Sequence, residues 1–321
     1  MRVLPLLLSA SFAALLVPDA NARADEFARA FNFAPPARVG APEVSPVRGA
    51  LRLASTAPDG GPVHGLSGLV WQASEGLLYA VSDQGYLLKL RPRFANEALV
   101  GLEFVARHAL LDAQGMALSN KERDAEGLAL AQDSGGTTLL VSFEGRHRVA
   151  RHDLEGRWLE DMSPATALAS GLKALPSNQG LEALALHPRH GVIGGIEHPS
   201  SRLPGQILRF TEPAEAWAYP VASPEGALVA LDTLADGRLL ALERRFIAPW
   251  KPLIITLRVI DLAAPALPSP ILARFSSAEG WPVDNFEAVA WHRPGHVFML
   301  SDDNVNPAQE TLLVYLQLAL D

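Results

Sequence analysis

No cysteine occurs anywhere in the 321 residues. Disulfides, thiolate metal sites and cysteine nucleophiles are thereby excluded, and a core must hold the fold. Positive charge is also scarce: 27 Lys and Arg stand against 35 Asp and Glu, a net charge of −8. Such a chain repels phosphate backbones and anionic membranes, so nucleic acid and lipid surfaces are poor partners. No H-E-x-x-H, P-loop or G-x-G-x-x-G is present. Gly65-Leu66-Ser67-Gly68 misses the G-x-S-x-G elbow because the second glycine directly follows Ser67. Beyond the N-terminus no apolar run approaches transmembrane length, and no segment carries the periodicity of an ordinary helix.

What is present begins with Arg2, an apolar stretch from Val3 to Val17 and small-x-small sites at Ala20-Asn21-Ala22 and Ala22-Arg23-Ala24. This is the layout of a secretory signal peptide over residues 1–24, implying a periplasmic or secreted protein. Residues 25–45, rich in Ala, Pro and Arg, read as a loosely ordered lead-in, and 46–321 as one domain, expected to be monomeric.

Internal repetition organises that domain. Five stretches share a small or acidic lead, an alternating apolar strand, a turn, a second apolar strand and a closing acid. They are GLSGLVWQASEGLLYAVSD (65–83), DAEGLALAQDSGGTTLLVSFE (124–144), NQGLEALALHPRHGVIGGIE (178–197), EGALVALDTLADGRLLALE (225–243) and DNFEAVAWHRPGHVFMLSDD (284–303). Their closing acids, Asp83, Glu144, Glu197, Glu243 and Asp302, recur at the roughly 55-residue period of a propeller blade. Further strand-like runs such as Tyr86–Leu90, Gly101–Leu110, Ile254–Leu262 and Pro270–Phe275 complete four strands per unit. The last unit is short by about one strand, and Arg48–Ser55 supplies it. The prediction is an all-β, five-bladed propeller whose last blade is closed by an N-terminal strand. Six blades is the alternative, if the long fourth unit hides another sheet.

Equivalent positions of the inner strands ring one face of a propeller. The closing acids therefore converge, and a second polar layer precedes the strands: Ser67, Asp124, Glu126, Asn178, Glu182, Glu225, Asn285 and Glu287. Crowded carboxylates need protons, arginines or a metal, and hard oxygen donors suit calcium or magnesium. Asp83, Glu144, Glu197, Glu243, Glu287, Asp302 and Asp303 are the candidate metal ligands. Glu126 and Glu182 are candidates for metal binding and catalysis together. Arg123, Arg146 and Arg244 sit beside these acids, ready to clamp a phosphate or carboxylate or simply to pair with them. Repeating acids that only pin turns are the structural alternative. Ser301–Asn306 with Gln309 has the composition of a calcium loop without EF-hand spacing. The histidines, among them His187, His198 and His292, read as exposed turn residues; His198, beside Glu197, is the candidate general base.

The leads GLSGL, DAEGLAL and NQGLEALAL, the strand ends LYAVSD, LLVSFE and LLALERR, and the terminal LSDDNVNPAQETLLVYLQL resemble phytase-like proteins with esterase-like activity, over roughly 60–321. The resemblance implies an exported β-propeller that hydrolyses phosphate esters with calcium, its substrate a small anion. A metal-dependent carboxylesterase or lactonase is the second expectation. A non-catalytic propeller that binds a ligand or a protein is the third.

Overall fold

The computed structural model describes residues 26–36, 46–264 and 269–319. Alternating apolar and polar residues between glycine-containing turns produce antiparallel strands throughout. β3 (Leu66–Gln72), β4 (Leu77–Ser82), β5 (Tyr86–Ala95) and β6 (Ala98–Ala109) form the first blade. β7 (Ala125–Asp133), β8 (Gly136–Phe143), β9 (Arg148–His152) and β10 (Trp158–Met162) form the second. A helix, α1 (Thr166–Lys173), then leads into β11 (Leu181–His187), β12 (Gly191–Ile196), β13 (Ile207–Arg209) and β14 (Glu215–Trp217). The fourth blade is β15 (Ala227–Thr233), β16 (Leu239–Arg245), β17 (Ile254–Ile260) and β18 (Ile271–Ser276). The fifth is β19 (Phe286–Arg293), β20 (His296–Ser301) and β21 (Leu312–Gln317), extended by β2 (Val47–Leu53) and β1 (Ala28–Ala30).

The result is a five-bladed β-propeller. The long fourth unit is a single four-stranded sheet, and the described residues form no sixth blade. The fifth blade closes as expected, with β2 antiparallel to β21. Residues 26–36 differ from the loosely ordered lead-in that composition suggests. β1 adds a fifth strand by pairing with β2. Phe33 is 2% exposed and packs edge-on against Phe275 and Phe286, with ring centroids 5.4 and 5.6 Å away. Three apolar side chains outweigh local proline content there. The helix α1 was not legible either; its Leu168 and Leu172 are buried against blade three.

The inner strands β3, β7, β11, β15 and β19 pack in sequence around the axis, and β19 meets β3 to close the ring. Small residues permit this approach: a Cβ on Gly127 would lie 2.6 Å from Leu184 Cβ. Apolar side chains fill the axis, leaving a cavity of about 10 Å³ bordered by Ser67, Gly127, Glu182 and Leu231. That is room for at most about one water.

Candidate functional site

At one mouth of the ring each blade repeats the same construction. The first two strands share one equivalent closing pair, Leu66–Ser82, Ala125–Phe143, Leu181–Ile196, Leu228–Glu243 and Phe286–Ser301, and in blade four one further pair, Ala227–Arg244, lies beyond it. One step inward the register shifts in all five blades, a β-bulge that leaves a residue unpaired and re-aims its side chain. The shifted residues include Ser67, Glu126, Glu182, Val229 and Glu287. Immediately after the closing pair come Asp83, Glu144, Glu197, Arg244 and Asp302.

Arg244, not Glu243, is thus the fourth member of the ring of closing residues. The sequence alignment of the repeats is one residue out in this blade, and one residue on a strand reverses the face. Glu243 pairs directly with Leu228 and is 3% exposed. Its carboxylate accepts from Tyr219 Oη at 2.5 Å, Arg258 Nη1 at 2.7 Å and the Ala222 amide at 2.9 Å. It holds blade four together and leaves the candidate metal set.

Arg244 reaches the acids instead. Nη2 lies 3.1 Å from Glu197 Oε1, and Nη1 donates to Glu287 and to Asn285. Burial lowers its pKa, but Glu287, Glu197 and Glu182 outweigh that and hold it above the usual arginine value. Elsewhere the cluster has little compensating charge. Asp124, Glu126 and Glu144 bring carboxylate oxygens within 4.8 Å of one another. Burial, then Glu287, Glu144, Asp124 and Asp83, push Glu126 well above the carboxylate range. Burial, then Glu126 and a carboxyl–carboxyl contact with Glu144, do the same to Glu182. Asp124 is raised by burial and Glu144, with Arg123 opposing. Asp83 is likewise raised by burial and by Asp124, against a hydrogen bond from Gln84 and the charge of Arg123. Gly65 makes room for it: its φ is +63°, and a Cβ there would overlap the Asp83 carboxylate. Asp302, 2% exposed, is pushed up to about 8 by burial and Glu287.

Other expected members are committed elsewhere. Asp303 Oδ2 lies 2.6 Å from His64 Nδ1, while Oδ1 accepts from the Gly65 and Val305 amides. It pins the fifth blade to the first, and nothing in the repeat signals His64 as its partner. In the loop that composition likens to a calcium site, Asp302 accepts from the Asn304 amide, and Gln309 Oε1 accepts from Asn304 and Asn306. Those oxygens serve the loop. Arg146 is exposed and pairs with Glu122 at 3.3 Å and Asp161 at 3.6 Å, outside the acid cluster. His198 is exposed, with Nε2 3.8 Å from Glu197 Oε2. His187 and His292 are not exposed turn residues. His187 is 6% exposed, its Nδ1 capping the Arg189 and His190 amides, and His292 sits between Trp71, Phe94 and Tyr315.

A cleft of about 490 Å³ opens beside the acids, lined by Glu197, His198, Glu225, Ala227, Arg244, Phe246 and Ile247. Carboxylates, one buried guanidinium and an open cleft thus meet at a single mouth.

Residues 61–305 match the family model described as Phytase-like, esterase-like activity of phytase. No curated protein matches the chain. Among solved structures it is similar to the β-propeller domain of Cps50 (Swd1) from Myceliophteria thermophila, at 10% identity and TM-score 0.38. That match covers 79% of this chain and 97% of the other. A protein of unknown function from Bacteroides caccae matches at 8% identity and TM-score 0.42, over 84% and 86% of the two chains.

Proposed function

The chain belongs to the phytase-like family, and from that premise we propose that it is a calcium-dependent ester hydrolase acting on phosphate esters. One observation carries this reading: Glu126, Glu182, Glu144 and Asp124 are crowded at the axis with fewer cations than carboxylates. The donor set fits calcium. All donors are carboxylate oxygens, and two oxygens on opposite sides of one calcium stand about 4.6–5.2 Å apart, from Ca–O distances of about 2.3–2.6 Å. Asp124, Glu126 and Glu144 would hold the ion. When bound, it supplies positive charge to an ester oxygen and acidifies a water.

The chain's own residues do the rest. Arg244, fixed by Glu197 and Glu287, presents positive charge to the acidic group of the ester. Arg123 offers a second guanidinium beside Asp83 and Asp124. Glu182, held well above the carboxylate range by burial and by Glu126, keeps a proton that it can give to the leaving alcohol, and the closed axis below limits the water that enters. Export to the periplasm or beyond is part of the same proposal; the segment that would direct it, 1–24, lies outside the described residues. Among those residues no helix is long and apolar enough to cross a membrane.

Calcium at one hundred times its Kd should stabilise the purified protein by about 2.7 kcal/mol. Glu126→Gln with Glu182→Gln should abolish that gain while raising the melting temperature in chelator, because repulsion is removed. Phosphate release from a chromogenic phosphomonoester should need calcium and stop with chelator. Acyl-ester or lactone turnover with phosphomonoesters untouched would select the carboxylesterase reading, which the esterase-like description of the family favours. Ligand capture without turnover would select the binding propeller.

A further inference from the structure

The turn between β16 and β17 is out of character for the rim of an acidic funnel. Phe246 is 57% exposed, Ile247 40% and Trp250 82%, three large apolar side chains within five residues. Singly exposed apolar residues need no explanation, but a contiguous group beside a polar site marks a binding surface. Phe246 and Ile247 wall the cleft whose floor is Arg244 and Glu197, the same two residues that form the edge of the acid cluster. The strand places them: Arg244 follows the closing pair of blade four and lies opposite Ala227, Arg245 turns outward to Glu225 at 3.1 Å, and Phe246 is the next residue along.

Charge points the same way. A polyphosphorylated inositol needs a basic rim, yet among the described residues acids outnumber Arg123, Arg244 and Arg245 at this mouth, and Arg146 lies outside it. Arg244 is a single fork, suited to one acidic group. An apolar lip on one side of it suits a substrate with one such group and a flat or branched apolar remainder.

We propose that the cleft between Arg244 and the Phe246–Trp250 turn is the leaving-group subsite of this enzyme, and that its substrates are monoesters of aryl or bulky alkyl alcohols. The proposal rests on the hydrolase reading above. The acid portion sits at Arg244 and the cation-binding carboxylates; the alcohol portion lies on Phe246 and Ile247, with the exposed Trp250 four residues along the same turn.

Titration calorimetry on the full mature chain tests this, first with calcium alone and then, calcium-loaded, with phenyl phosphate and glycerol 2-phosphate, which differ only in the alcohol. Phenyl phosphate is expected to bind about tenfold more tightly. Phe246→Ser with Trp250→Ser should bring the ratio to about one. Ile271→Ser, an equally exposed apolar residue on the outer strand β18, should leave it at tenfold. Equal binding of the two esters, no binding of either to protein that takes up calcium, or a ratio untouched by the lip variant overturns the subsite and leaves the metal reading standing. Absence of calcium binding in the first titration overturns that reading and the subsite with it.

Discussion

Glu243 and Arg244 are adjacent, oppositely charged and assigned opposite tasks by a single step of register. On a strand, successive side chains point to opposite faces, so Glu243 enters the blade and Arg244 the funnel. The buried face is demanding: Glu243 and Arg258, 3% and 7% exposed in their side chains, form an ion pair with Tyr219 as a third member. Removing one partner of such a pair leaves an uncompensated charge in the interior and costs about 3–5 kcal/mol. Glu243→Ala should therefore lose that much in urea unfolding while keeping its calcium isotherm. A small stability loss with weakened calcium binding would return Glu243 to the metal set. The sequence offered no means of choosing between the neighbours, because both are charged and both end an apolar run. Only the pairing partner, Leu228, distinguishes them.

The elements themselves were far more legible. Strand alternation, turn glycines and a repeated closing acid depend on local chemistry, so five units, their two inner strands and the strand from the N-terminus could all be read. So could Glu126, Glu182 and Glu287, since each follows an equivalent apolar or aromatic residue at the start of an inner strand. What stayed hidden depends on contacts distant in sequence. β1 has only three residues, and Phe33 is ordered by Phe275, Trp281 and Phe286 some 240 or more positions away. His64 meets Asp303 across |i−j| = 239. If the N-terminal segment is part of the ring closure, Phe33→Ala should cost about 3–5 kcal/mol, as for a buried aromatic elsewhere. The check is chemical denaturation of the full chain; a loss below about 1 kcal/mol, within the range of an ordinary surface substitution, would show that β1 merely rests on the blade.

For the molecule as a whole, the mouth of the ring is a store of electrostatic repulsion whose sign can be followed with pH. Asp302, at the mouth, is raised by burial and Glu287 to about 8; Asp232, toward the other end of β15 where it accepts from the Trp291 amide at 2.6 Å, is raised by burial alone to about 6. Burial and neighbouring carboxylates raise Glu126 and Glu182 in the same direction. For each of these the folded state binds the proton more tightly, so its contribution is complete below the unfolded pKa near 4 and is lost as pH rises through the folded value. His152 and His292 run the other way. Burial depresses both to about 4, so their contribution is present above about 6.5 and lost as pH falls. Below about 6.5 the two sets oppose each other; between about 6.5 and 8 the histidines are silent and the acids act alone. Metal-free protein should thus lose stability across that interval, at up to about 1.4 kcal/mol per pH unit for each proton released, Asp302 supplying one. Saturating calcium should flatten the slope, since a divalent charge replaces the protons that the carboxylates shed. Melting curves in chelator and in calcium from pH 6.5 to 8 make the comparison. Parallel curves would mean that the carboxylates do not share a cation, and that the ring of acids at the mouth serves to join blades.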